Sequence, residues 1–255
     1  MSNKILDVLR EEKEMQLKGR LYYSTQIEFS YNTNHIEGSK LTAEQTRYIY
    51  ETNTLLTDGT TATNVNDIIE TSNHFKMVDY MLDIAEEPLT EEIIKEFHRI
   101  LKSGTTDERK SWFKVGDYKL LENEVGFTET ASPDRVRERM ASLIQAYNRI
   151  ENVTVEDIIK FHSDFEKIHP FQDGNGRVGR IIMFKECLRH GITPFIILDN
   201  DKVFYYRGLQ EYQSGGEKGF LIDTCLNAQD QYQALVDKFI SQDISEDATG
   251  INMNM

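Results

Sequence analysis

Apolar positions recur at spacings of three and four along most of the chain, a pattern that predicts helices. Residues 4 to 31 read as one or two amphipathic helices. Thr42 to Gln45 has the form of a capping box and opens a helix through about Glu51. Residues 57 to 64 are a polar loop. Val65 to Ala85 follows as a long helix that can put Ile68, Ile69, Phe75, Val78 and Leu82 on one face. Pro88 interrupts, and Thr90 caps the next helix to about Lys102. Ser132 stands at an N-cap with Pro133 at the first helical position, leading a helix to about Arg149. Thr154 caps a helix from about Val155 to Lys167 that buries Ile158, Phe161, Phe165 and Ile168. His162 lies on that apolar side and reads as a hydrogen-bonded core histidine. A helix from about Arg177 to His190 ends at Gly191, with Val178, Ile181, Ile182 and Leu188 as its apolar face. Further helices are expected over Lys202 to Gln213 and Phe220 to Ser241, then a frayed or disordered tail from Asp243 to Met255. One stretch departs from the helical period. Residues 104 to 131 carry Gly104, Gly116 and Gly126 with short extended runs at 117–121 and 124–127, which reads as a β-hairpin. The expected fold class is all-α with one small hairpin.

Charge and cysteine content narrow the function. The net charge of −14 over 255 residues argues against nucleic-acid or anionic-membrane partners, which dense Lys/Arg patches hold. A bound polyphosphate would then need a local cationic cluster to override the global field. Cys187 and Cys225 fall in helical segments and read as buried free thiols of a reducing compartment. The first nineteen residues are charge-rich and predict no secretory signal. No run approaches the roughly 20 apolar residues of a membrane span. These features together predict a cytoplasmic protein.

The densest chemistry lies at residues 169 to 180, His-Pro-Phe-Gln-Asp-Gly-Asn-Gly-Arg-Val-Gly-Arg. Pro170 disfavours helix at the residue before it, so the preceding helix should end with the His169 imidazole at its exit. Gly174-Asn175-Gly176 permits backbone angles at which successive N–H groups converge on an anion. The helix that follows adds a positive N-terminus. Arg177 and Arg180 are three residues apart on it and share a face. A base, a carboxylate, an anion cradle and two guanidinium groups are the parts of a nucleotide-triphosphate site.

In order and spacing this segment resembles the signature of the Fic family, His-Pro-Phe-x-Asp/Glu-Gly-Asn-Gly-Arg-x-x-Arg. The resemblance implies an all-α Fic-type helical bundle with a β-hairpin flap, here about residues 117 to 127, that pairs with the backbone of a target protein. It implies transfer of AMP from ATP to a Ser, Thr or Tyr hydroxyl of a target, or of the protein itself. His169 would be the general base, suited to that by an ordinary pKa near 6.5. Asp173 would give one hard oxygen to Mg²⁺ or Mn²⁺. Gly174, Asn175 and Gly176 would cradle the phosphates, with Arg177 at the β-phosphate and Arg180 at the γ-phosphate. Phe171 would anchor the loop, and Tyr205 would help wall the adenine pocket.

Thr33-Asn34-His35-Ile36-Glu37-Gly38 matches the family's inhibitory pattern, Ser/Thr-x-x-x-Glu-Gly/Asn. The resemblance implies that Glu37 pairs with Arg180 and blocks the γ-phosphate, with Thr33 and Gly38 completing the motif. The implied division is an N-terminal helical region at 1–88, a catalytic core at 89–215 and a C-terminal helix and tail at 216–255. Other readings are a Fic enzyme moving another phosphate-containing group, one that removes AMP, and a non-catalytic nucleotide-binding module. Gly176 and Arg180 count against the phosphate-transferring Doc branch, which has lysine at the second glycine and lacks the final arginine. The target protein is not named by the sequence, and a homo-oligomer is compatible with it.

Overall fold

The computed structural model describes residues 4–57, 59–60, 62–125 and 128–250. Its helices, in chain order, are α1 (Lys4–Met15), α2 (Leu21–Ile36), α3 (Ala43–Thr52), α4 (Val65–Asp83) and α5 (Glu91–Lys102), followed by α6 (Pro133–Asn148), α7 (Val155–Ile168), α8 (Asn175–Arg189), α9 (Lys202–Gln213) and α10 (Gly219–Gly250). Short 3₁₀ turns occupy Thr106–Arg109 and Asp199–Asp201. Among the described residues, extended pairing is confined to β1 (Glu124–Val125) against β2 (Thr128–Glu129), antiparallel with Val125 opposite Thr128. No helix of the described residues is long and apolar enough to cross a membrane.

Local signals set several boundaries. Thr42 accepts from the Gln45 N–H while the Gln45 side chain accepts from the Thr42 N–H, closing the capping box of α3. Thr154 and Asp157 do the same for α7, and the Thr90 hydroxyl accepts from the Ile93 N–H at the start of α5. Ser132 occupies the N-cap position of α6, but its hydroxyl makes no cap bond, and Pro133 at the first position with Asp134 in the first turn supports that start. Gly191 takes a positive φ of 67° just beyond α8, and the Ile192 N–H returns to the Cys187 carbonyl.

Four expectations change. The helix containing residues 21 to 31 runs on to Ile36, because Phe29, Thr33 and Ile36 are all buried and keep the segment packed. The helix expected from Arg177 begins at Asn175, with Gly174 at its N-cap and a left-handed φ of 87°. The extended run at 117–121 is not strand. There the Lys119 N–H donates to the Pro170 carbonyl and the Leu121 N–H to Gln172 Oε1, so this leg is tied to the signature loop; the pairing joins 124–125 to 128–129, and residues 126 and 127 of the expected flap lie outside the described residues. Residues 243–250 continue α10, and the remainder of the expected tail, 251–255, lies outside the described residues.

Helix α8 is the centre of the bundle. It packs against α2, α4, α5 and α7, and its residues from Arg177 to Leu188 are buried all round, where an amphipathic stripe was expected. The buried apolar cluster runs continuously from Leu6 on α1 to Phe239 on α10. Two arginines of α8 are therefore carried on a helix held from every side. The loop before α8 is anchored by Phe171, which is fully buried and stacks on the His98 ring at 4.0 Å between centroids. Phe171→Ala should destabilise the protein by about 3–5 kcal/mol, the usual cost of emptying a buried aromatic site. Denaturant unfolding checks it, with an unchanged midpoint counting against the anchor.

Candidate active site

Helix α7 ends at Ile168, and His169 caps it in the left-handed conformation at φ 52°, ψ 62°. Only a few per cent of non-glycine residues adopt such angles. Pro170 prevents the helix from continuing, and the His169 N–H still reaches the Phe165 carbonyl at 2.9 Å. The imidazole is thus projected at the helix exit. Burial, followed by the positive charge of Lys119, lowers its pKa to about 4, which keeps it neutral at physiological pH.

Asp173 sits on the turn leading to α8, with its carboxylate 53% exposed. Burial works to raise its pKa, but Arg177 and Lys102 outweigh that and hold it well below the usual carboxylate range. Lys102 Nζ lies 2.7 Å from Asp173 Oδ2, 2.5 Å from Glu70 and 2.6 Å from Asp107. The carboxylate oxygens of Glu70, Asp107 and Asp173 all lie within 4.8 Å of one another. The ammonium already stands among them, so the trio is an ion-paired network, and Asp173 is its exposed member, able to offer an oxygen outward.

Arg177 pairs with Glu70 and reaches Asp173 Oδ2 at 3.3 Å and Asn34 Oδ1 at 3.4 Å. Arg180 Nη2 donates to Glu37 Oε1 at 2.6 Å and to the Thr33 carbonyl at 3.1 Å, and its Nε donates to the Thr33 hydroxyl at 2.7 Å. The Glu37 side chain is 27% exposed, whereas Arg180 is buried at 2%. Burial disfavours both guanidinium charges, yet Glu70 for Arg177 and Glu37 for Arg180 raise their pKa values further. Arg177 Nε and Arg180 Nη1 have no hydrogen-bond partner among the described residues.

The chain turns away after Glu37 because Gly38 takes φ 98° and its N–H returns to the His35 carbonyl. Gly176, in the first turn of α8, leaves room for the carboxylate, since a Cβ there would overlap Glu37 Oε1. Glu37 consequently lies over the N-terminus of α8, where helix dipole and guanidinium both favour an anion.

One expected site residue sits differently, and a second has a further task. Asn175 was expected to face an anion with its backbone N–H, and its side chain accepts from the Phe171 N–H at 2.8 Å and donates to the Phe171 carbonyl at 2.9 Å. It is spent on shaping the loop. Tyr205 is fully buried, its hydroxyl 2.6 Å from His162 Nε2, with Arg180 against its ring. It backs the arginine, and the exposed member of the tyrosine pair is Tyr206, whose hydroxyl donates to the Ile36 carbonyl at 3.4 Å. His162 is the buried, hydrogen-bonded core residue expected, with burial lowering its pKa to about 3.

Sequence reasoning missed Glu70, Lys102, His98 and Lys119. His98 accepts from the Gly116 N–H through Nδ1 and bonds the Asp173 carbonyl through Nε2, bracing both flanks of the site. Lys119 is buried and donates to Asn123 Oδ1 and the Thr130 hydroxyl, joining the two legs of the 117–131 segment. Each lies on a helix or loop remote in sequence from the signature, and no spacing rule links it to residue 169.

Residues 88–187 match the model of the Fic/DOC family. It is 25% identical over 206 residues to protein adenylyltransferase fic-1 of Caenorhabditis elegans, covering 79% of this chain and 39% of that protein. Protein adenylyltransferase Fic of Nematostella vectensis is 27% identical over 195 residues, covering 75% and 44%. The chain thus spans less than half the length of these relatives. A Fic-domain-containing signaling protein from Bacteroides thetaiotaomicron has a crystal structure similar at a TM-score of 0.71 and 25% identity, covering 92% of this chain and 94% of that one.

Removing Lys102 would leave three carboxylates without their shared buried cation. Lys102→Met should therefore cost about 3–5 kcal/mol of stability, as expected when one partner of a buried ion pair is deleted. Thermal and denaturant unfolding of the variant test this, and wild-type stability would show that the network carries no weight.

Proposed function

We propose that the protein transfers AMP from ATP to a hydroxyl of a target protein and is restrained by its own Glu37. The reading is carried by Arg177 and Arg180, two buried guanidinium groups on the first turns of α8 with unpartnered N–H groups. The neutral imidazole of His169 stands at the start of the loop that leads into the same helix. Relatives named protein adenylyltransferase support the same chemistry.

His169 takes the proton of the attacking hydroxyl. The N-terminus of α8 and its arginines hold and neutralise the phosphates, the main demand that phosphoryl-type transfer makes of a protein. Asp173 is the residue that would hold Mg²⁺, its exposed carboxylate giving one oxygen while phosphates and water complete the shell. The bound metal would supply charge neutralisation at the phosphates. Adenine would rest near Tyr206, with Tyr205 behind Arg180. The 117–131 segment, strapped to the signature loop, would offer the strand pair at 124–129 to an extended stretch of the target.

Glu37 restrains the reaction by occupying Arg180, which the γ-phosphate also needs. Glu37→Gly should raise transfer at least about tenfold, the scale of a charge-assisted contact of 1.5–3 kcal/mol. Arg180→Ala in that background should remove the gain, and His169→Ala should abolish transfer while sparing ATP binding. The measurement is label transfer from α-³²P-ATP against γ-³²P-ATP. Label from γ alone, or equal activity of wild type and Glu37→Gly, would sink the reading.

The base also fixes a pH dependence. His169 titrates near 4, so it is unprotonated and competent above that value and is lost as base when pH falls through it. The rate of Glu37→Gly should stay level from pH 8 to about 5.5. A limb centred near the ordinary histidine value, with unchanged ATP binding, would show that burial does not lower the pKa of the base in this way.

A further inference from the structure

Glu166 lies one turn before His169 on α7 and has no part in the chemistry described so far. Its side chain is 10% exposed, and Oε2 is 3.7 Å from His169 Nδ1. Oε1 of Glu166 and Nδ1 of His169 are both buried without a hydrogen-bond partner among the described residues. The main-chain carbonyl of Glu166 also faces the imidazole. Helix α8 makes room for this arrangement through Gly179, where a Cβ would come within 3.1 Å of Glu166 Oε1 and 2.5 Å of His162 Nδ1. Glu166 is therefore held against the base by the close approach of α7 and α8.

The charged groups around the pair come from every adjoining element. Lys119 from the 117–131 segment, Glu37 from the end of α2 and Asp173 from the loop act on His169. Glu37 and Arg180 act on Glu166, after burial, which raises the carboxyl to about 8. Both side chains are thus largely uncharged at neutral pH. A neutral imidazole carries one N–H, and the nitrogen that bears it decides which is free to accept a proton.

We propose that Glu166 is the positioning residue of His169: its side-chain oxygen, which needs only a small movement to close the 3.7 Å gap, and its main-chain carbonyl favour the proton on Nδ1, leaving Nε2 free to act as the base. This rests on the AMP-transfer reading. In that reaction the target hydroxyl gives its proton to Nε2, and its oxygen forms a bond to the α-phosphorus. The bond from the α-phosphorus to the departing pyrophosphate oxygen breaks, and its electron pair leaves with pyrophosphate. The imidazolium keeps its Nδ1–H directed at Glu166, so the carboxyl orients the base and steadies its charged form, the role of the third group behind a catalytic histidine.

Glu166→Gln retains an accepting oxygen, and Glu166→Leu fills the same space without one. Both should be made in the Glu37→Gly background and measured for AMP transfer and by ¹⁵N–¹H multiple-bond NMR of the imidazole, assigned by its loss in His169→Ala. Glu166→Leu should move the imidazole to a mixture of tautomers. It should lower kcat by about tenfold or more with KM for ATP unchanged, a part of what a positioned base contributes. Glu166→Gln should keep the Nδ1–H tautomer and most of kcat. An unchanged tautomer in Glu166→Leu, or equal losses in both variants, would overturn the proposal. If Glu166→Leu does not fold, Glu166→Met takes its place under the same criteria. Absence of transfer in the Glu37→Gly parent would refute AMP transfer itself, and the tautomer would still decide the role of Glu166.

Discussion

Two guanidinium groups buried one turn apart on the central helix set the terms for this structure. Arg177 and Arg180 are charged at any attainable pH, and neither can be left in a dry interior without anions. Glu70 on α4, Glu37 at the end of α2 and Asp173 on the signature loop supply them. Each counter-ion comes from a different element, so α2, α4 and the signature loop are tied to α8 by charge as well as by packing. The apolar shell behind the site makes α8 immovable, and the ion pairs in front of it make its charge tolerable.

In the proposed reaction the same place would receive a polyphosphate. Buried ion pairs gain little net stability, because desolvation consumes most of the Coulomb attraction. Glu37 is more than a quarter exposed and reaches Arg180 from the end of a helix, where only its own side chain has to rotate. Another anion delivered to the α8 N-terminus would meet the same dipole and the same donors. Glu70 is different: it is mostly buried and shared between Arg177 and Lys102. The first contact is partly open to solvent, and the second is closed off by two cations.

The signature loop behaves as a single body with its neighbours. Asn175 closes it on Phe171, Phe171 stacks on His98, and His98 ties the loop to Gly116. Lys119, Leu121 and Asn123 strap the 117–131 segment to positions 170 to 172, and the Ala131 N–H binds the Ile168 carbonyl. A substrate docked on that segment would therefore be registered directly against the imidazole. Precision of this kind comes from buried hydrogen bonds whose loss would leave unsatisfied groups.

The sequence by itself determined the helical class and most helix starts, because caps and helical periodicity act within a few residues. It also placed His169 at a helix exit, since Pro170 is adjacent, and it set Glu37 before a glycine that must turn the chain. Tertiary structure decided everything that depends on packing between distant segments. It made α8 central and buried all round, turned Asn175 inward, sank Tyr205 behind Arg180, and brought Glu70, Lys102 and Glu166 to the charges they face. Those outcomes follow from desolvation, which is fixed by which helices surround a residue and leaves no mark on its neighbours in sequence.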